Sequence, residues 1–66
     1  MQHSIIVRGE PRVIDRLRAE ASRIARNEET DWWAEKENAG TRFGFESKKC
    51  LEAFRAVCEA IDVGLA

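Results

Sequence analysis

The succession of apolar patterns in this chain predicts an α+β domain of element order β-α-β-β-α. Two observations carry the assignment. Apolar residues recur at helical spacing from Val13 to Ala25 and again from Cys50 to Ile61, and short β-branched or aromatic segments stand before and between these stretches. At 66 residues the chain reads as one domain. A domain of this size buries only about 60% of the surface its unfolded chain exposes, so its core must be small and well filled. Hydrophobic content of 44% beside 35% charged residues excludes a disordered composition and predicts a folded, soluble protein.

The first strand is expected over Ser4–Arg8, a β-branched run that Gly9 and Pro11 end in a turn. Pro11 suits the first turn of a helix, where its missing N–H has no partner to lose. Val13, Ile14, Leu17, Ala21, Ile24 and Ala25 then fall on one sector of that helix, about 120° wide at 100° per residue. The helix should fade near Asn27, because Glu28 and Glu29 sit badly at the negative end of a helix dipole and Thr30-Asp31 invites a turn. Trp32–Glu37 and Arg42–Glu46 flank the turn signal Asn38-Ala39-Gly40 and form a hairpin. Ser47 is placed to cap a second helix, whose stripe Cys50, Leu51, Phe54, Val57, Cys58 and Ile61 opposes Lys48, Glu52, Arg55 and Glu59.

A right-handed crossover from the first strand into a parallel second strand leaves room for the third strand to lie antiparallel between them. Both helices then cover one sheet face, as in a ferredoxin-like two-layer sandwich with a three-stranded sheet. The tail Ile61–Ala66 alternates with period two and offers a short fourth strand, with fraying of the second helix as the alternative; without that strand the outer edge of strand one is bare.

Adjacent Trp32 and Trp33 must point to opposite faces of the sheet, and the hairpin register decides which is covered. A three-residue Asn-Ala-Gly loop would set Glu35 against Phe43 on the buried face. An even-length loop instead pairs Glu37 with Arg42 on the open face and puts Trp32 and Ala34 inside with Phe43 and Phe45. Burying a carboxylate costs more than an imperfect turn, so the second arrangement is expected. Trp33 is then the exposed tryptophan, near Ile6, Arg8, Arg42 and Gly44; Trp33, Ile6, Arg8 and Arg42 define a candidate protein-binding surface, the alternative being a Trp33 that lies flat over Gly44 and shields its own backbone.

Several function classes find no support. No apolar run approaches the ~20 residues of a membrane span, and the N-terminus lacks the layout of a secretion signal, so the expected compartment is the cytoplasm. Cys50 and Cys58 lie about 12 Å apart along one helix, too far for a mutual disulfide, and read as buried thiols. They lack the Cys-x-x-Cys spacing of zinc or redox sites, and His3 has no suitably spaced partner, so neither a metal, a cofactor nor a catalytic group is expected.

Net charge is −1, yet arginines dominate residues 1–27 and acids dominate 28–46. On the first helix Arg12, Arg16, Arg23 and Arg26 fall within about 80° of one another, a ridge suited to phosphates or to an acidic protein partner. Glu20, four residues after Arg16, moderates it. Arg42-Phe43-Gly44-Phe45 resembles part of the third-strand motif of RNA recognition motif domains, a likeness that implies base stacking on exposed aromatics. The motif is out of phase here: Glu46-Ser47 already opens the helix, which puts Phe43 and Phe45 at inward positions. The sequence therefore reads as a non-enzymatic protein-interaction module. It is expected to bind itself as a homodimer through the open face or the strand-one edge, or to bind another protein. Nucleic-acid binding through the face or the ridge is the alternative.

Overall fold

The computed structural model describes residues 3–65, in which β1 (His3–Arg8), α1 (Pro11–Asn27), β2 (Trp32–Glu37), β3 (Gly40–Phe45), α2 (Lys48–Ala60) and β4 (Gly64–Leu65) follow one another. The strands form one sheet in the order β2-β3-β1-β4, every neighbouring pair antiparallel. This is an α+β architecture with three long strands and a two-residue fourth.

Alternation along the strands sorts the side chains into two faces. Ile5, Val7, Phe43 and Phe45 point to the side on which both helices lie, where they form one cluster with Leu17, Ala21 and Ile24 of α1 and Cys50, Phe54 and Cys58 of α2. Three phenylalanines anchor this core. The Phe54 ring sits 4.8 Å from Phe43 and 5.3 Å from Phe45, within the range of favourable aromatic pairs. Trp32 extends the layer by stacking on Phe43 at 6.5 Å. Val13, Ile14, Leu51, Val57 and Ile61 complete the two helical stripes at its rim.

The helix boundaries follow local chemistry. Pro11 opens α1 behind Glu10, whose side chain makes no capping bond. Ser47 caps α2, its hydroxyl accepting from the Cys50 N–H at 3.4 Å. Both helices end in the same device. Glu29 (φ 53°) and Asp62 (φ 60°) adopt the left-handed conformation just beyond the last turn. Thr30 N–H then donates to the Ala25 carbonyl at 3.0 Å and Val63 N–H to the Cys58 carbonyl at 3.2 Å, the long bond of a Schellman motif. The second of these closures turns the chain back toward β1, where Gly64 and Leu65 pair with Arg8 and Val7.

Four expectations are refined. Strand one begins at His3 rather than Ser4. The hairpin loop is Asn38-Ala39 alone, so Glu37 lies opposite Gly40 and Arg42 opposite Glu35. Glu20 bonds to Arg23, not Arg16, with Nη2 to Oε1 at 2.6 Å. The tail supplies a fourth strand, of two residues among those described. The inward and outward assignment of the hairpin stands: Trp32 and Ala34 pair with the buried Phe45 and Phe43, and Trp33 pairs with Gly44 on the other face.

Candidate functional site

The face away from the helices is built in ranks set by the strand registers. Trp33, Gly44 and Ser4 form one rank across β2, β3 and β1, and Glu35, Arg42 and Ile6 form the next. Arg8 follows Ile6 by two residues on the same side and is exposed at the end of β1. The structure thus brings Ile6, Arg8, Trp33 and Arg42 to one surface.

Trp33 lies flat across Gly44. A Cβ at position 44 would fall onto Cζ2 and Cε2 of the indole and 2.6 Å from Cη2, so only glycine admits the ring here. Gly44 is in consequence buried on an otherwise open face, while Trp33 itself stays half-buried. Gly40 also has no substitute, for a different reason: its φ of +147° excludes side chains, and a Cβ would stand 2.5 Å from the Val7 carbonyl oxygen.

Arg42 is held on both flanks. Its Nε donates to Glu37 Oε2 at 2.6 Å, Nη2 to Glu37 Oε1 at 3.1 Å and Nη1 to Ser4 Oγ at 2.9 Å. This fork joins β2 to β1 across β3 and fixes the guanidinium against the sheet. The hydrogen bond from Arg42 holds the Glu37 carboxyl below its ordinary range, with partial burial opposing the shift and the attraction between the charges adding to it. The same bond raises the already high pKa of Arg42. The pair stays ionised across the physiological range.

Both sheet edges can be read from one bond. Glu46 N–H donates to the Asp31 carbonyl at 3.2 Å, which continues the β2–β3 register outward. In an antiparallel ladder hydrogen-bonded pairs alternate, so Asp31, Trp33, Glu35 and Glu37 turn their backbone groups toward β3. Trp32, Ala34 and Lys36 turn theirs outward, along an edge that no strand covers among the described residues. By the same alternation Ser4, Ile6 and Arg8 face the outer edge of β1, where β4 meets Arg8 and leaves Ser4 and Ile6 uncovered among the described residues. The strand-one edge is therefore the more protected of the two.

Arg12, Arg16, Arg23 and Arg26 are all exposed on the outer side of α1. Among the described residues only Arg23 of the four has an acidic partner within ion-pair distance. Phe43 and Phe45 are fully buried, which removes them as stacking platforms. Cys50 and Cys58 are free and buried, and burial pushes the Cys58 thiol up to about 11. Among the described residues no group of three or more His, Cys, Asp or Glu is placed to hold a metal, and no helix is long and apolar enough to cross a membrane.

Sequence reasoning missed the Ser4 ligand to Arg42 and the outward ladder of Trp32, Ala34 and Lys36. The first depends on a register between residues 38 positions apart, which no local pattern encodes. The second was legible in part, since Asp31 and Glu46 bracket the hairpin symmetrically once its turn is known. Comparison with known proteins gives no match to any family model, curated protein or solved structure.

Proposed function

We propose that this chain is a small non-enzymatic protein-interaction module that associates with a second copy of itself through the side of the sheet its helices leave open. One observation carries the reading: Trp33 and Arg42, residue types that dominate interaction hot spots, are both seated against the sheet, Trp33 over Gly44 and Arg42 on Glu37 and Ser4, on a face that no element covers among the described residues. Side chains already fixed in place lose little freedom on binding, so their contact energy is retained. The strand order β2-β3-β1-β4 supports a ferredoxin-like sandwich, and two buried free thiols fit a reducing compartment such as the cytoplasm.

The test is solution mass by light scattering over a range of concentrations. The expected result is a species near twice the 7.5 kDa of the chain. A monomer at every concentration refutes self-association and directs attention to a different protein partner for the same face.

A second reading rests on the exposed arginine ridge of α1, a run of cations about 21 Å long at 1.5 Å per residue. Nucleic acid bound there through four phosphates would show an affinity falling with salt at a log–log slope of roughly −3 for a single strand. Reversing the charge of Arg12, Arg16 and Arg23 would abolish that slope. Affinity indifferent to both removes this reading.

A further inference from the structure

We propose that the second copy docks antiparallel along the outer edge of β2, with the two-fold axis at Ala34. The inference rests on the self-association reading above but places the contact at the sheet edge, where Trp33 meets Glu35 of the second copy, and leaves the rest of the open face uncovered. Three observations fix it.

Among the described residues, the outer edge of β2 presents the N–H and C=O of Trp32, Ala34 and Lys36 with no strand beside them, whereas β4 already pairs with the outer edge of β1 at Arg8. Unpaired ladders of this kind are what a second chain completes. A two-fold at Ala34 matches all of these groups at once, because it sets Ala34 against Ala34 and Trp32 against Lys36 of the second copy as hydrogen-bonded pairs.

The side chains select the same axis. Centred on Ala34, the core side brings the Lys36 stem and ammonium against the Trp32 indole, and the open side brings Trp33 against Glu35. Glu35 is not left as a bare charge there, since Arg42 lies directly opposite it in β3. Moving the axis one residue either way fails. Centred on Glu35, two carboxylates face each other; centred on Trp33, Asp31 opposes Glu35 and part of the ladder is lost. Centred on Lys36, two ammonium groups meet.

The helix layer leaves room for this contact electrostatically. The arginine ridge points away from the sheet, and the flank of α1 beside Lys36 carries Asp15 and Arg18, one of each sign, which line a shallow depression with it. The dimer would then present one continuous open face with Trp33 of both copies near its centre.

Cysteine cross-linking tests the axis. In a hydrogen-bonded antiparallel pair the Cα atoms stand about 5.5 Å apart, within disulfide reach. Ala34→Cys is expected to give a covalent dimer on mild oxidation, and Glu35→Cys is not. Ala34→Pro removes only an outward N–H and should leave a folded chain, while dissociation becomes roughly a hundredfold easier through two lost hydrogen bonds at the axis. Should Ala34→Pro fail to fold, the cysteine pair still decides. A protein that is dimeric by light scattering, yet does not cross-link through Ala34→Cys, overturns this axis and leaves the self-association reading standing. A chain that is monomeric throughout overturns both.

Discussion

The seat of Trp33 on Gly44 gives the sharpest prediction, because the geometry allows no side chain at position 44 while the indole stays where it is. In Gly44→Ala the ring must lift from the sheet. A tryptophan side chain buries about 150–250 Å² when covered; losing roughly half of that costs about 2.5 kcal/mol at ~25 cal/mol per Å². Against this, replacing glycine by alanine in extended backbone recovers about 0.4–1 kcal/mol by restricting the unfolded chain. The net loss is about 1.5–2 kcal/mol, which for a domain of this size lowers the melting temperature by roughly 6–16 °C. Thermal unfolding at fixed protein concentration measures it, and emission of Trp33 in a Trp32→Phe background should shift to the red. The decisive comparison is the same substitution in a Trp33→Ala chain. With no ring to displace, Gly44→Ala becomes neutral or stabilising, giving a coupling of about 2 kcal/mol between the two sites. An equal cost in both backgrounds would refute the packing argument.

Three further predictions follow from the core, the helix ends and the ion pair. Phe54→Ala removes the ring that touches both Phe43 and Phe45, and the expected loss of about 3–5 kcal/mol approaches the whole stability of a domain this small, so far-UV circular dichroism should show it largely unfolded at 37 °C. Glu29→Gly and Asp62→Gly relieve left-handed backbone at the two helix ends, and each should raise stability by about 0.5–1 kcal/mol in denaturant titrations. The hydrogen bond from Arg42 holds the Glu37 carboxyl below its ordinary range in the folded chain, so its contribution is fully present above that ordinary range and is lost as pH falls through the lower, folded value. Urea midpoints measured from pH 7 downward should therefore converge for wild type and Glu37→Gln in acid, with the wild type ahead only at the higher pH.

Most of the core could be read from spacing because helical stripes and strand alternation are local. Leu17, Ala21 and Ile24 on α1 and Cys50, Phe54 and Cys58 on α2 lie where periodicity puts them. The facing of the hairpin was also legible, since the only alternative set the Glu35 carboxylate on the core side. The length of the loop was not. The turn signal places Gly40 in the loop, whereas it opens β3 with a φ of +147°, at a place where a Cβ would collide with the Val7 carbonyl, a clash set only once β1 and β3 have paired. The helix ends were hidden for a related reason: the left-handed position is held by Glu29 and Asp62, where glycine would have signalled it. The tail could be judged only in part, because two residues gain strand character solely by finding Arg8 and Val7. In the candidate site, Trp33, Ile6 and Arg42 followed from alternation, but the fork that ties Arg42 to Ser4 needed the tertiary register.

The two surfaces of this domain need not compete. The arginine ridge lies on the helix layer and the Trp33 face lies on the opposite side of the sheet, so occupying one leaves the other free. Pairing along β2 would also bring two ridges onto the same side of a single extended sheet, because a two-fold perpendicular to an antiparallel pair preserves its faces. Doubling the ridge changes its chemistry more than its contacts: two modest cationic strips joined rigidly act at high effective concentration toward one acidic or phosphate-bearing partner. The net charge of −1 argues against long-range attraction by a single copy, and dimerisation cannot reverse that sign. What it can supply is span, about 21 Å of exposed arginine from each copy. Any nucleic-acid affinity in this chain should accordingly depend on the integrity of the Ala34 edge, although no residue of that edge would touch the ligand.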